Sequence, residues 1–311
     1  MEEQLRYRYI RHTCSVQGWA LLAYLGIMNG VVLLWMVFCG IGDILVGDDS
    51  FSDNIGWAYF FVIGIGAVCL FAWKKRAFCV GTIWTPGKPM KVGRFFGILS
   101  VFLSVQMVSA LLSMLVQWIL LNMGYQVLDV SSVSLEELGM FLYVGLGAPI
   151  SEEILFRGLI LRSLEPFGKK FAIFASALLF GLFHGNLTQA PFAFGVGLIL
   201  GYVTLEHNIG WAMLLHMINN LILSDTLYRL VSLIPGGWGA LVLWGTIAAF
   251  SVAALVVLIR RRGKILAYLR REYDDPLCRR AFFRAPGIIT LLVILLLVIA
   301  ATTWESIVPI R

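Results

Sequence analysis

Long apolar runs, broken by short polar or basic segments, set the rhythm of this chain. A helix needs about 20 mostly apolar residues to cross the hydrocarbon core of a bilayer. On that basis the pattern predicts nine spans, at 17–41, 57–73, 95–121, 138–161, 171–187, 190–205, 210–224, 238–259 and 287–304. The first three, the eighth and the last are plain apolar stretches. The four between 138 and 224 are shorter or carry polar groups. The first stretch lacks a small-residue cleavage site in a polar context, so it is expected to stay as a helix. The expected fold is all-α: a polytopic membrane helical bundle, one membrane domain over 1–311, with its core at 138–224. No internal repeat or low-complexity tract divides it.

Composition agrees. Of 311 residues, 59% are hydrophobic and 14% charged, against roughly half and a quarter in soluble domains. Mean hydropathy is +0.86. A soluble globule, a disordered chain and a secreted disulfide scaffold are excluded. The five cysteines (14, 39, 69, 79 and 278) form no CxxC pair and no metal-like spacing, so they read as small apolar fillers.

The net charge of +6 reflects topology, not nucleic-acid binding. Four segments carry 21 of the 24 Lys and Arg: the N-terminal arm, the 74–94 loop, the 162–170 turn and the 260–284 loop. Nine spans place all four on one side, the cytoplasmic one by the positive-inside rule. The opposite side carries Arg229, Arg311 and acidic residues (Asp43, Asp48, Asp49, Asp53, Asp129, Glu136, Glu137). The N-terminus is thus expected inside and the C-terminus outside, in a bacterial-type plasma membrane. The 260–284 loop mixes cations with apolar residues and either lies on the anionic inner leaflet or is a solvated topology signal.

Ionisable groups inside a membrane are costly and mark functional sites. Spans four, five and seven concentrate them: Ser151, Glu152, Glu153 and Arg157, then His184 and Asn186, then His216, Asn219 and Asn220. Glu153 and Arg157 are spaced i,i+4 and can pair on one helix face. Glu152 points about 100° away, so one glutamate is structural and the other is left to work. Pro149 removes a backbone bond just before them and is expected to loosen the helix. His216 and Asn220 form a second i,i+4 pair. Counting rise along the helices places the three sets in one layer of the inner half of the membrane. Glu206 and His207 read as solvated at an inner turn, and the Gly197–Gly201 pair as a helix-packing contact.

A carboxylate, two histidines and an Asn suit activation of a water, with Glu152 as base. His184 would hold the water or shuttle its proton, and His216 and Asn220 would stabilise an oxyanion. A Ser–His hydrolase is disfavoured because Ser151 turns away from Glu152. No cofactor is expected. Zinc held by Glu152, His184 and His216 is the alternative, although HExxH spacing is absent. A non-catalytic immunity or scaffold protein and a proton-coupled transporter are other readings of the same cluster.

Glu152-Glu153-x-x-x-Arg157, Phe180-x-x-x-His184 and His216-x-x-x-Asn220, in that order within 138–224, resemble the three motifs of the CPBP family. These are the CAAX-protease and bacteriocin-processing, or Abi, intramembrane glutamic endopeptidases. The surrounding strings APISEEILFRG, LLFGLFHG and LLHMINN are similar to the family pattern too. The resemblance implies a helical core with a cavity open to the cytoplasm. It implies water activation by Glu152 with His184, an oxyanion hole of His216 and Asn220, and support from Glu153 and Arg157. The implied substrate is a peptide or membrane-protein segment, such as a CAAX-like C-terminus or a leader peptide.

Overall fold

A computed structural model describes residues 1–47, 56–127, 138–221, 231–271 and 275–310. The expected outer-side residues Asp48, Asp49, Asp53, Asp129, Glu136, Glu137, Arg229 and Arg311 lie outside the described residues, as does the 222–224 end of the seventh span.

The protein is an all-α polytopic membrane bundle. Its long helices are α1 (Glu2–Val46), α2 (Gly56–Arg76), α3 (Val92–Asn122), a composite α4 (Leu138–Phe167), α5 (Lys169–Phe183), α6 (Gln189–Glu206), α7 (Ile209–Ile218), α8 (Trp238–Arg271) and α10 (Pro286–Ser306). A short α9 (Pro276–Phe283) precedes α10. Seven of these, all but α5, α7 and α9, are long and apolar enough to cross a membrane. Helices α5 and α7 coincide with predicted spans; α5, at 15 residues, falls short of the ~20 that hydrocarbon thickness asks, and α7 runs on as a π turn to the edge of the described residues. Two three-residue strands, β1 (Tyr125–Val127) and β2 (Ile307–Pro309), pair antiparallel with Gln126 opposite Val308. The periodicity did not signal them.

Burial separates centre from rim. Only 6% of the apolar window of α1 or α8 is buried, against 39% in α4 and α6, so α1 and α8 turn most of their surface to lipid and α4–α7 form the core. Small residues allow close packing there. A Cβ on Gly197 would come within 3.1 Å of Ala177, and one on Gly201 within 3.3 Å of Ile173. The GxxxG pair therefore seats α6 on α5, as its spacing predicts.

The basic 260–284 segment is mostly helix. Lys and Arg are good helix formers, and α8 runs on through Arg260, Arg261, Arg262 and Lys264 to Arg271. Asp275 then caps α9, its Oδ1 accepting from Leu277 N–H at 2.9 Å, with Pro276 in the first turn. The apolar side of α9 (Cys278, Ala281, Phe282) is buried. Phe282 packs edge-on to Phe171, the ring centroids lying 5.9 Å apart. That side is thus covered by protein, not lipid. His207 also corrects the sequence reading. It is fully buried, with Nδ1 2.6 Å from the Lys88 carbonyl. Gly87 packs directly on its backbone, and Lys88 Nζ meets Glu206 at 2.8 Å. The 83–91 loop covers the turn that the pattern left in solvent.

Helices α1 and α10 meet at Gly18 and Gly287, where a Cβ on Gly18 would collide with the Gly287 backbone. Gly18→Val should therefore lower stability by about 1–3 kcal/mol, read as a fall in the thermal unfolding midpoint in detergent. Gly26→Ala, with nothing within 4 Å of its Cβ, should leave the midpoint unchanged or higher.

Candidate functional site

The geometry of the site begins with the irregular backbone of α4. It is α-helical over Leu138–Leu142, widens to a π turn over Tyr143–Gly147, and is α again over Ala148–Glu153. It widens once more over Ile154–Leu161. Pro149 gives the first widening a physical reason. In π geometry the N–H of residue 149 would reach the carbonyl of Val144, and proline has none. Asn220 supplies the donor instead, its Nδ2 lying 2.9 Å from Val144 O. The expected loosening before the glutamates is thus a π turn whose orphaned carbonyl anchors a side chain from the helix continuing α7.

Glu153 and Arg157 pair as their spacing predicts, with Oε1 and Nη1 2.8 Å apart and both side chains 0% exposed. The same Glu153 oxygen stands 2.9 Å from His216 Nδ1. One carboxylate oxygen therefore joins α4 to α7. Arg157 adds α6, donating from Nη2 to Gly197 O at 3.3 Å, and lies over the Phe180 ring of α5 at 4.2 Å. Such cation–π contact is strongest where water is absent.

Phe180 is a hub that sequence reasoning treated only as a motif landmark. His184 meets its ring edge-on at 4.8 Å and His216 at 5.7 Å. His184 is the C-cap residue of α5, and its Nδ1 lies 2.8 Å from Phe180 O. With Nδ1 donating to that carbonyl, Nε2 is left as the acceptor on the other side of the ring. Asn186 has a structural task. Its Oδ1 accepts from Thr188 N–H at 2.8 Å and from Gln189 N–H at 3.3 Å, at the start of α6.

Glu152 faces the other way, with its side chain 25% exposed and Oε2 3.8 Å from His216 Nε2. His184 lies near enough to feel its charge. Two tyrosines from the rim, unnoticed in the sequence, border it. Tyr24 of α1 lies near Ser151 and Glu152, its ring 6.2 Å from Phe183. Tyr143 is stacked on Tyr59 at 4.4 Å. The Ser151 hydroxyl donates to Ala148 O at 3.1 Å, which occupies it away from Glu152. Gln106 of α3 was also missed. It donates to Asn219 at 3.2 Å, and Asn219 donates to Asn220 at 3.0 Å. A glutamine midway along a largely apolar run was its signal.

Glu152, Glu153, Arg157, His184, His216 and Asn220 thus gather around Phe180 and the α4 π turn. Among the described residues no group of three or more His, Cys, Asp or Glu is arranged to hold a metal ion. Chemically the set offers one carboxylate with solvent access, two imidazoles and a primary amide, above a dry ion pair.

Removing one partner of a buried pair leaves an uncompensated charge, at about 3–5 kcal/mol. Arg157→Met should accordingly lower stability on that scale, while Glu153→Met combined with Arg157→Met should regain part of it. Chemical or thermal unfolding of the detergent-solubilised protein measures both.

Residues 134–222 match the family model described as Type II CAAX prenyl endopeptidase Rce1-like. No curated protein and no solved structure matches the chain significantly. The matched segment runs across α4–α7 and holds all three motifs. That segment is similar to the Rce1-like family, consistent with the CPBP resemblance.

Proposed function

We propose that the protein is an intramembrane endopeptidase of the glutamic, CPBP type, in which Glu152 and His184 activate a water for attack on a peptide bond. The observation that carries the reading is the division of labour between adjacent glutamates. Glu153 is sealed and neutralised by Arg157, while Glu152 is partly exposed and faces His216.

Glu152 takes a proton from the water, a task worth about 10²–10⁴-fold for a positioned base. His184, with Nδ1 occupied by Phe180 O, presents Nε2 to the same water. As the carbonyl becomes tetrahedral, its oxygen gathers charge that fixed donors stabilise. His216 and Asn220 serve there, the first held by Glu153 and the second by Val144. The proton held by Glu152 then passes to the leaving amine. Glu153 and Arg157 position and do not touch substrate. The substrate is a peptide or membrane-protein segment, of the kind a CAAX-like C-terminus or a leader peptide provides. The cation-rich end of the bundle and the N-terminus face the cytoplasm of a bacterial plasma membrane, and the C-terminus lies outside.

Glu152→Gln keeps shape and removes the base, so cleavage should fall by about 10²–10⁴-fold with folding intact. Comparing the peptides released from membranes of cells with wild type and Glu152→Gln measures it. A peptide set unchanged by the substitution, with EDTA abolishing release from both, would refute the glutamate mechanism.

A further inference from the structure

Helix α3 lies outside residues 134–222, the segment that matches the family model, yet it reaches the site. Leu99, Leu103 and Gln106 are spaced i, i+4 and i+7 and share one side of it. Leu99 and Leu103 are buried in one cluster with Leu200 of α6 and with Ala212 and Leu215 of α7. Val105 fixes the register, since a Cβ on Gly195 of α6 would meet its Cγ1 at 2.8 Å. One turn beyond Leu103 the apolar stripe ends in an amide, about 21 Å from the start of α3 at 1.5 Å per residue.

Helix α7 and its continuation present two sides. Ala212, Leu215 and Asn219 face α3, while His216 and Asn220 face α4. Gln106 Nε2 donates to Asn219 Oδ1 at 3.2 Å. Asn219 Nδ2 donates to Asn220 Oδ1 at 3.0 Å, and Asn220 Nδ2 donates to Val144 O at 2.9 Å. Three amides thus run in series from α3 to the π turn of α4, each bond polarising the next.

The direction of this series is imposed by its last member. A carbonyl oxygen accepts and cannot donate. Val144 O therefore holds Asn220 Nδ2 toward α4 and leaves Oδ1 toward Asn219. Asn219 must then offer Nδ2 and turn Oδ1 toward Gln106, which must donate. A group at 106 that only accepts would set two acceptors against each other somewhere along the series. An apolar group at 106 would remove the α3 donor from Asn219, a residue only 8% exposed.

We propose that Gln106 is a positioning residue for the hydrolysis: acting through Asn219, it holds the Asn220 amide in the orientation that stabilises the oxyanion. A helix outside the matched segment thereby completes the site. Gln106 itself does not touch substrate. The task of Asn220 rests on the hydrolytic reading above, whereas the series is measured without cleavage.

Two substitutions separate donor from shape. Gln106→Met keeps length and packing and removes the donor. Gln106→Glu keeps the shape but, when ionised, only accepts. Release of the peptides that depend on Glu152 is followed in membranes between about pH 6 and pH 8, per amount of folded protein. Relative to wild type at the same pH, Gln106→Met should lower release about 3–10-fold throughout, the worth of one hydrogen bond. Gln106→Glu should lower it further near the upper limit and recover toward wild type near the lower one, where the protonated acid donates. Release by Gln106→Met equal to wild type, or a loss with Gln106→Glu that does not change with pH, overturns the proposal. Thermal midpoints in detergent need no cleavage. Gln106→Met and Asn220→Ala remove the two ends of the series, and together they should shift the midpoint by less than the sum of their separate shifts. That shortfall should vanish in an Asn219→Ala background. Additive shifts with Asn219 in place also overturn the proposal. If no released peptide depends on Glu152, the hydrolytic reading fails, and the midpoints alone decide whether Gln106 orients Asn220.

Discussion

One oxygen of Glu153, shared between Arg157 Nη1 at 2.8 Å and His216 Nδ1 at 2.9 Å, ties the site together. A carboxylate can accept several donors, and here two come from different helices. Neither donor has water as an alternative, since Glu153 and Arg157 are fully buried. In such a place an unpaired charge is far more costly than in solvent, so the three side chains hold one another in place. Arg157 extends the constraint to Gly197 of α6 and to the face of Phe180 in α5. The relative positions of α4, α5, α6 and α7 therefore depend on this knot of charge.

The network is not fully satisfied. Glu153 Oε2 and Arg157 Nε are buried with no hydrogen-bond partner. A protein selected for stability alone would have reason to replace the pair with apolar side chains, which are often neutral or better. What apolar substitutes would lose is the orientation of His216. The backbone carries a similar cost. Two π turns and a proline interrupt α4, and π turns recur at functional sites. The Val144 carbonyl released by the first gives Asn220 a fixed partner. Local departures from regular helix thus supply the fixed points that a regular helix would not have.

Local spacing was legible in the sequence, and tertiary placement was not. The i,i+4 relation told which glutamate pairs with Arg157, because helix geometry is set within one turn. The i,i+4 spacing of His216 and Asn220 could be read too, but their partners on α4, Glu153 and Val144, could not. Glu153 and His216 are 63 positions apart, and no periodicity encodes that distance. Phe180, Tyr24 and Tyr143 were missed because aromatics in apolar spans look like lipid-facing filler until neighbours are known. His207 was misread for a related reason. Turns usually lie at the surface, but the 83–91 loop folds over this one. Spans were found where hydropathy is plain. Where polar groups interrupt the core, α5 came out shorter than a bilayer crossing, since its neighbours, not lipid, cover it.

The hydrolysis proposed for this membrane site sets two demands that oppose each other. The charge knot needs dryness, because water would weaken the attraction that fixes His216. The reacting carboxylate needs water as a reagent. Placing both on one helix resolves the conflict only if dryness and access lie in different directions. Helix α4 does this with adjacent residues: Glu153 turns into the packed layer of Phe156, Ile160 and Leu161, and Glu152 turns, about 100° round the axis, toward the side where burial relaxes. The order of the pair along the helix also matters. Arg157 follows Glu153 by one turn, on the packed side, so the neutralising cation lies behind the site and leaves the approach to Glu152 unobstructed.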